Sequence, residues 1–208
     1  MRKFGFAAVL GIAAVVLLGV GLVVRGQAAF ADDYVGDQLR AQRISFLPVA
    51  ALTADQKKSA CLVENAGKPL VTGKQAECYA NEQIGPDLAL VAGGKTYAEV
   101  SYPAKLARDK VIAATAANPK DPAIPALTEE ANRLEAPALT LFRGETLRGM
   151  LLTTFGFNRF GELGGRTANV LFVFAAVLLV IAVVQLVVAV RRDRVGAFAG
   201  LTPQAAAG

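Results

Sequence analysis

This sequence predicts an all-α fold, two transmembrane helices flanking a small helical extracytoplasmic domain, and three features predict it. Two long runs carry no charge, 21 residues over 4–24 and 24 residues over 167–190. Basic residues cluster on the short flanks of those runs. Between them, 25–166 carries helix caps and helix breakers, with no internal repeat and no sustained β alternation.

The apolar runs come first. A bilayer core about 30 Å thick needs roughly 20 apolar helical residues, and both runs meet that length. The chain is 54% hydrophobic with a mean hydropathy of +0.43, and the excess sits in these runs. Helices of such length that are apolar all round and flanked by arginines are unusual in the core of a soluble domain. Arg2 and Lys3 precede the first run; Arg191, Arg192 and Arg194 follow the second, opposed only by Asp193. Residues 25–166 hold 17 Lys+Arg against 16 Asp+Glu, so the short ends carry nearly all of the +5 net charge. Lys and Arg accumulate on cytoplasmic flanks. The termini, 1–3 and 191–208, are therefore predicted inside, with 25–166 outside the plasma membrane. The lipid bilayer is the first partner. The same distribution accounts for a pI of about 9.4 without nucleic acid, whose footprint would need the charge on the folded domain.

Arg2-Lys3, the apolar run and Ala29-Phe30-Ala31 also match the layout of a secretory signal cleaved after Ala31. A signal core is usually about 7–15 residues, shorter than this run, and Arg25 intervenes before the cleavage site. A retained helix is favoured, with cleavage as the alternative.

In the outside segment, the first helix is predicted to continue over 28–43, followed by an extended stretch at 44–48, where Pro48 disfavours helix at the preceding residue. Thr53-Ala54-Asp55-Gln56 is a capping box that starts a helix to about Asn65, ended by Gly67 and Pro69. Residues 73–92 form the next helix, with a kink at Gly85-Pro86. Cys61 and Cys78 then lie on adjacent helices of a hairpin. An even cysteine count in an oxidising compartment predicts a structural disulfide, closing a loop of about 17 residues and worth about 3 kcal/mol. A redox-active pair is the alternative, normally spaced C-x-x-C. Gly93-Gly94 breaks the chain, and Thr96-Tyr97-Ala98-Glu99 caps a helix to about Ala117, bent at Pro103. Residues 118–125, with three prolines, are the linker. A last helix is predicted from near Thr128 through Leu151, and the four glycines of 156–166 predict a turn at the membrane surface.

The chain contains no histidine. That removes Ser-His-Asp and Cys-His nucleophilic catalysis, His-ligated zinc, and the two-histidine, one-carboxylate iron site of oxygenases. No phosphate-cradling glycine motif is present; Gly93-Gly94-Lys95-Thr96 lacks the upstream glycine and reads as a helix start. The pairs Asp32-Asp33 and Glu129-Glu130 supply too few oxygens for a calcium ion's 6–8 ligands and suit solvated helix ends. No catalytic residue, cofactor or metal site is predicted.

Two places suggest contacts. Neither apolar run contains an ionisable residue, and Gln185 is the only side chain within 167–190 with strong hydrogen-bonding capacity beyond the terminal Thr167 and Asn169, a candidate interhelix contact or a lipid-facing amide. The stretch 139–160 mixes apolar, aromatic and basic residues just before the second run. Phe142, Arg143, Leu147, Arg148, Leu151 and Phe155 are its candidate partner or membrane-surface residues. A core helix packed on its neighbours is the plainer reading of the same stretch.

Three short motifs carry a resemblance: Phe46-Leu47-Pro48-x-x-Ala51-Leu52-Thr53, Gly94-Lys95-Thr96-Tyr97-Ala98-Glu99-Val100 and Glu145-Thr146-Leu147-Arg148-Gly149-Met150-Leu151-Leu152. With them the chain, over residues 4–190, resembles a family of actinobacterial membrane proteins with two transmembrane helices. Some members carry the label of aromatic ring-opening dioxygenase, an activity that needs histidine-held iron and that the lack of histidine opposes. The resemblance implies no catalytic residue.

The expectation is a non-catalytic integral membrane protein acting through protein–protein contacts, as an accessory subunit of a larger membrane complex or by self-association. The alternative is an extracytoplasmic sensor of a ligand or signal. The tail over 195–208 is too short for an output domain, so sensing would also need a partner.

Overall fold

The computed structural model describes residues 2–199, so Met1 and 200–208 of the expected cytoplasmic ends lie outside it. Its order is α1 (Arg2–Gln42), short 3₁₀ turns at Val49–Ala51 and Gln56–Lys58, α2 (Ala60–Asn65), α3 (Gly73–Cys78), a π-helical turn (Tyr79–Ile84), α4 (Gly85–Val91), α5 (Tyr97–Ala117) and α6 (Ile124–Ala199). The fold is all-α; the described residues contain no strand, only an isolated antiparallel bridge between Ser45 and Pro69. The chain divides into two units, one of residues up to Ala31 and from Phe160 onward, the other Asp32–Arg159.

In the first unit α1 and α6 run antiparallel. Arg25 Nη1 donates to Asn169 Oδ1 at 3.0 Å, Gly21 faces the ring of Phe172, and Gly164 lies against Ala28 and Val24. The buried residues are small and recur every seventh position: Ala7, Ala14, Gly21 and Ala28 on α1, and Ala168, Ala175, Ala182 and Ala189 on α6. A seven-residue repeat keeps one seam turned to a partner helix, and small side chains there let backbones approach closely. Val9, Ile12, Val15, Leu22, Val173, Phe174 and Val180 are each more than half exposed. Both helices are long and apolar enough to cross a membrane. A surface of this kind calls for an apolar surround.

The second unit builds its core around Val35 and Leu39 of α1, Phe46, Leu52, Leu62, Leu70, Ala76, Cys78, Ala80 and Leu151 of α6. α1 stops where Arg43 takes a left-handed φ of +53°. The chain then runs extended: Phe46 N–H donates to Lys68 O at 3.0 Å and Leu70 N–H to Ile44 O at 2.9 Å. This pairing buries Phe46, whose ring meets Tyr79 edge-on at 5.3 Å.

The Thr53–Gln56 capping box forms: Gln56 N–H donates to Thr53 Oγ1 at 3.1 Å and Thr53 N–H to Gln56 Oε1 at 3.0 Å. The helix expected from it does not run on to Asn65. A 3₁₀ turn follows, Ser59 is extended, and α2 starts afresh at Ala60. Residues 55–59 offer no apolar side chain, and a short helix without a face to bury is not held. The restart places Leu62 in the core.

A second box, Thr72 with Gln75, caps α3, and Gly73 is buried there. A Cβ on Gly73 would lie 2.3 Å from Asn158 Cβ, and Asn158 is held by its 2.9 Å bond to Asp32 Oδ1. Neither neighbour yields easily. Gly73→Ala is expected to lower stability by about 1–3 kcal/mol, the usual cost of overpacking, measured by thermal unfolding in detergent. An unchanged melting temperature would mean the two backbones do not approach this closely.

The helix over 73–91 is interrupted, as the Gly85-Pro86 pair predicts, by the π turn just before it. Gly85 N–H bonds Ala80 O five residues back, and Pro86 has no N–H to restore the α pattern. Gly93 and Gly94, at φ +62° and +82°, end α4. Thr96 and Glu99 cap α5 with both hydrogen bonds of the box.

α6 departs from expectation at both places where it was bounded. It starts at Ile124, with Pro125 in its first turn, and Thr128 bonds back to Ile124 O at 2.8 Å. At the other end 156–166 is helical, without the predicted turn. A glycine costs a helix about 1 kcal/mol relative to alanine, a local preference that packing along the helix overrides.

Candidate functional site

Two surface features of the second unit are built well enough to bear on function. The first is an open groove of about 740 Å³ around the disulfide. Cys61 and Cys78 are joined, with Cα atoms 6.1 Å apart, tying α2 to α3. The groove is also lined by Asn65, Gln75, Glu64, Glu82 and Phe155. Its amides are engaged with each other and with the backbone. Gln75 Oε1 accepts from Val71 N–H at 2.8 Å, Gln75 Nε2 donates to Asn65 Oδ1 at 3.0 Å, and Asn65 Nδ2 donates to Cys61 O at 2.8 Å. This network fixes the hairpin.

The second feature is a shallow hollow of about 170 Å³ between α5 and α6. Tyr97 and Phe142 meet there with ring centroids 5.4 Å apart, and Ala104, Ala138 and Leu139 complete its apolar lining. Leu139 is 44% and Phe142 50% exposed. Arg108 and Glu135 form a 3.2 Å ion pair that also lines the hollow. An apolar, aromatic centre with a polar rim is the anatomy of a protein contact surface.

The six candidates over 142–155 separate by position. Leu151 is buried, and Leu147 packs against the same core. Arg148 is spent internally, its Nε donating to Ala80 O at 3.2 Å and its Nη2 to Asn81 Oδ1 at 3.3 Å. Ala80 O is the carbonyl that the π turn bonds to Gly85, so Arg148 braces the irregular segment. Phe155 lines the groove, Phe142 lines the hollow, and Arg143 is exposed. Gln185 is exposed on α6, off the alanine seam.

Electrostatics follow from local partners. Glu130 is held below the usual carboxylate range by its hydrogen bond from Arg133, whose own pKa rises in turn. Glu99 is lowered chiefly by the Thr96 N–H, then by the Thr96 hydroxyl. It supports the start of α5 above the ordinary carboxylate range, and that support fades as pH falls through its depressed pKa. Burial, then Asp87, raises the Tyr79 phenol. These shifts belong to caps and packing. Among the described residues no three of His, Cys, Asp and Glu gather to hold a metal.

Sequence reasoning missed the Asn65–Gln75 network, the ring pair of Tyr97 with Phe142, and Gln83, which the π turn buries with its Oε1 unpartnered among the described residues. The aromatic pair was within reach: each residue sits in a helix recognised from sequence, and only the helix pairing was unknown.

No family model, curated protein or solved structure shows significant similarity to this chain.

Proposed function

We propose that this is a non-catalytic plasma-membrane protein whose extracytoplasmic domain works by protein–protein contact, as an accessory subunit of a membrane complex. The hollow between α5 and α6 carries this reading. Tyr97, Leu139 and Phe142 present aromatic and aliphatic surface to solvent beside the Arg108–Glu135 pair. Buried aromatic anchors dominate the energetics of such contacts. Two further features support it: basic flanks favour termini on the inside, and a disulfide suits an oxidising space outside. We place the chain with the actinobacterial two-helix membrane proteins on its three motifs.

A photo-crosslinking residue at position 142 of the full chain, in native membranes, tests this reading. A single, stoichiometric protein adduct, lost when Leu139→Glu is added, is expected. The same residue at position 155 reports on the groove, the feature that favours ligand sensing as a second reading. A small-molecule adduct at 155 with none at 142 would replace the subunit reading by the sensor.

A further inference from the structure

Residues 97–143 form a helical hairpin, α5 and the start of α6 joined by 118–123. The side chains it buries are Ala104, Ala107, Ala131, Ala138 and Leu141. Alanine brings little apolar area, so such a seam gains little against the entropy of ordering the hairpin. The larger apolar side chains lie outside the seam: Tyr97, Ile112, Leu139 and Phe142 are each 39% exposed or more. They share one face. Tyr97, Ala104 and Arg108 line the hollow from α5, with Ile112 one turn further along the same side, and Glu135, Leu139 and Phe142 line it from α6. Charge on the hairpin is balanced, with six Lys+Arg against six Asp+Glu over 97–143. Those that line the hollow are Arg108 and Glu135, paired at 3.2 Å with both side chains open to solvent.

We infer that the occupant of the hollow is a second copy of this chain, two hairpins packing face to face as a four-helix bundle, an assignment that rests on the hollow being a protein contact. A face without surplus charge gives an oppositely charged partner nothing to answer. It does suit its own copy: a two-fold interface uses the same patch on both sides and sets each Arg108 against the other chain's Glu135. The size is sufficient. The 21 residues of α5 span about 31 Å, and two helices of about 10 Å each make a face of roughly 600 Å², the share of one partner in the smaller stable interfaces. Large apolar side chains around an alanine seam on each hairpin then become the core of the bundle. Anchoring in one bilayer, as proposed above, keeps the hairpins on one side and raises their effective concentration.

The test co-expresses two full chains with different affinity tags and reads how much of one is recovered with the other in mild detergent. A photo-crosslinking residue at position 142 of one chain is expected to give an adduct that carries both tags. Arg108→Glu in both chains, or Glu135→Arg in both, is expected to lower co-recovery about tenfold, because each sets like charges against each other. Arg108→Glu in one chain with Glu135→Arg in the other restores it, a rescue that loss of folding could not produce; an exposed ion pair contributes little to the fold. An adduct at 142 with a different protein and no second tag overturns the assignment and leaves the hollow a protein contact. No protein adduct at 142 overturns both. Co-recovery that neither reversal weakens overturns the two-fold packing.

Discussion

Leu151→Ala is expected to destabilise the Asp32–Arg159 unit by about 2–5 kcal/mol, the range for deleting a buried leucine when the site cannot collapse. Leu151 is 1% exposed and sits among Leu39, Leu62, Leu70 and Phe46. Its neighbours come from different elements, one of which is locked by the disulfide, so little relaxation into the cavity is available. For a unit of this size the loss corresponds to a drop of several degrees or more in melting temperature. The comparison that gives this result meaning is Leu139→Ala, twelve residues earlier on the same helix. Leu139 is 44% exposed, so its truncation should move stability by little while weakening the contact at the hollow. Two leucines of one helix thus separate folding from association. Equal melting temperatures for Leu151→Ala and the wild type would remove α6 from the core.

Breaking the disulfide is the second large effect. Replacing Cys61 and Cys78 together by alanine is expected to cost about 3 kcal/mol, because a crosslink over 17 residues no longer restricts the unfolded chain. Reductant should lower the melting temperature of the wild type toward that of the double variant and leave the variant unmoved. Cys78 is buried beside Ala76 and Ala80, so alanine replaces it without placing a polar group in the core. A wild type indifferent to reductant in unfolding experiments would mean the crosslink does not constrain the hairpin.

Local chemistry was the most legible part of this sequence. The Thr53–Gln56 and Thr96–Glu99 boxes form as their spacing predicts, Gly93 and Gly94 adopt the positive φ that ends a helix, and the cysteines pair on neighbouring helices. Each of these depends on a few adjacent residues. Where the outcome depends on what packs alongside, the sequence was silent or misleading. The glycines over 156–166 signal a turn by propensity, yet α6 continues through them. Thr53 starts a helix that has nothing to bury over 55–59 and stops.

The alanine seam was hidden for a different reason. Periodicity reveals a buried face only when the opposite face is polar. In 4–24 and 167–190 the outward residues are as apolar as the inward ones, so Ala7, Ala14, Ala168 and Ala175 stand out by size alone. Within the candidate site the same limit applies. The 142–155 stretch was recognisable as a mixed apolar and basic helix, but which of its residues face the core depends on distant segments, the core residues within 35–80 that meet Leu147 and Leu151 and the Ala80 carbonyl that Arg148 bonds.

Placement of the Asp32–Arg159 unit beyond the cytoplasm is the claim on which most else depends, and one free thiol tests it. The described chain has no free cysteine, so Lys120→Cys, in the exposed segment between α5 and α6, adds a single reactive site with the disulfide left intact. A membrane-impermeant maleimide applied to intact cells should label it as fully as in lysed cells. Labelling that appears only after lysis would put this unit in the cytoplasm and contradict the account.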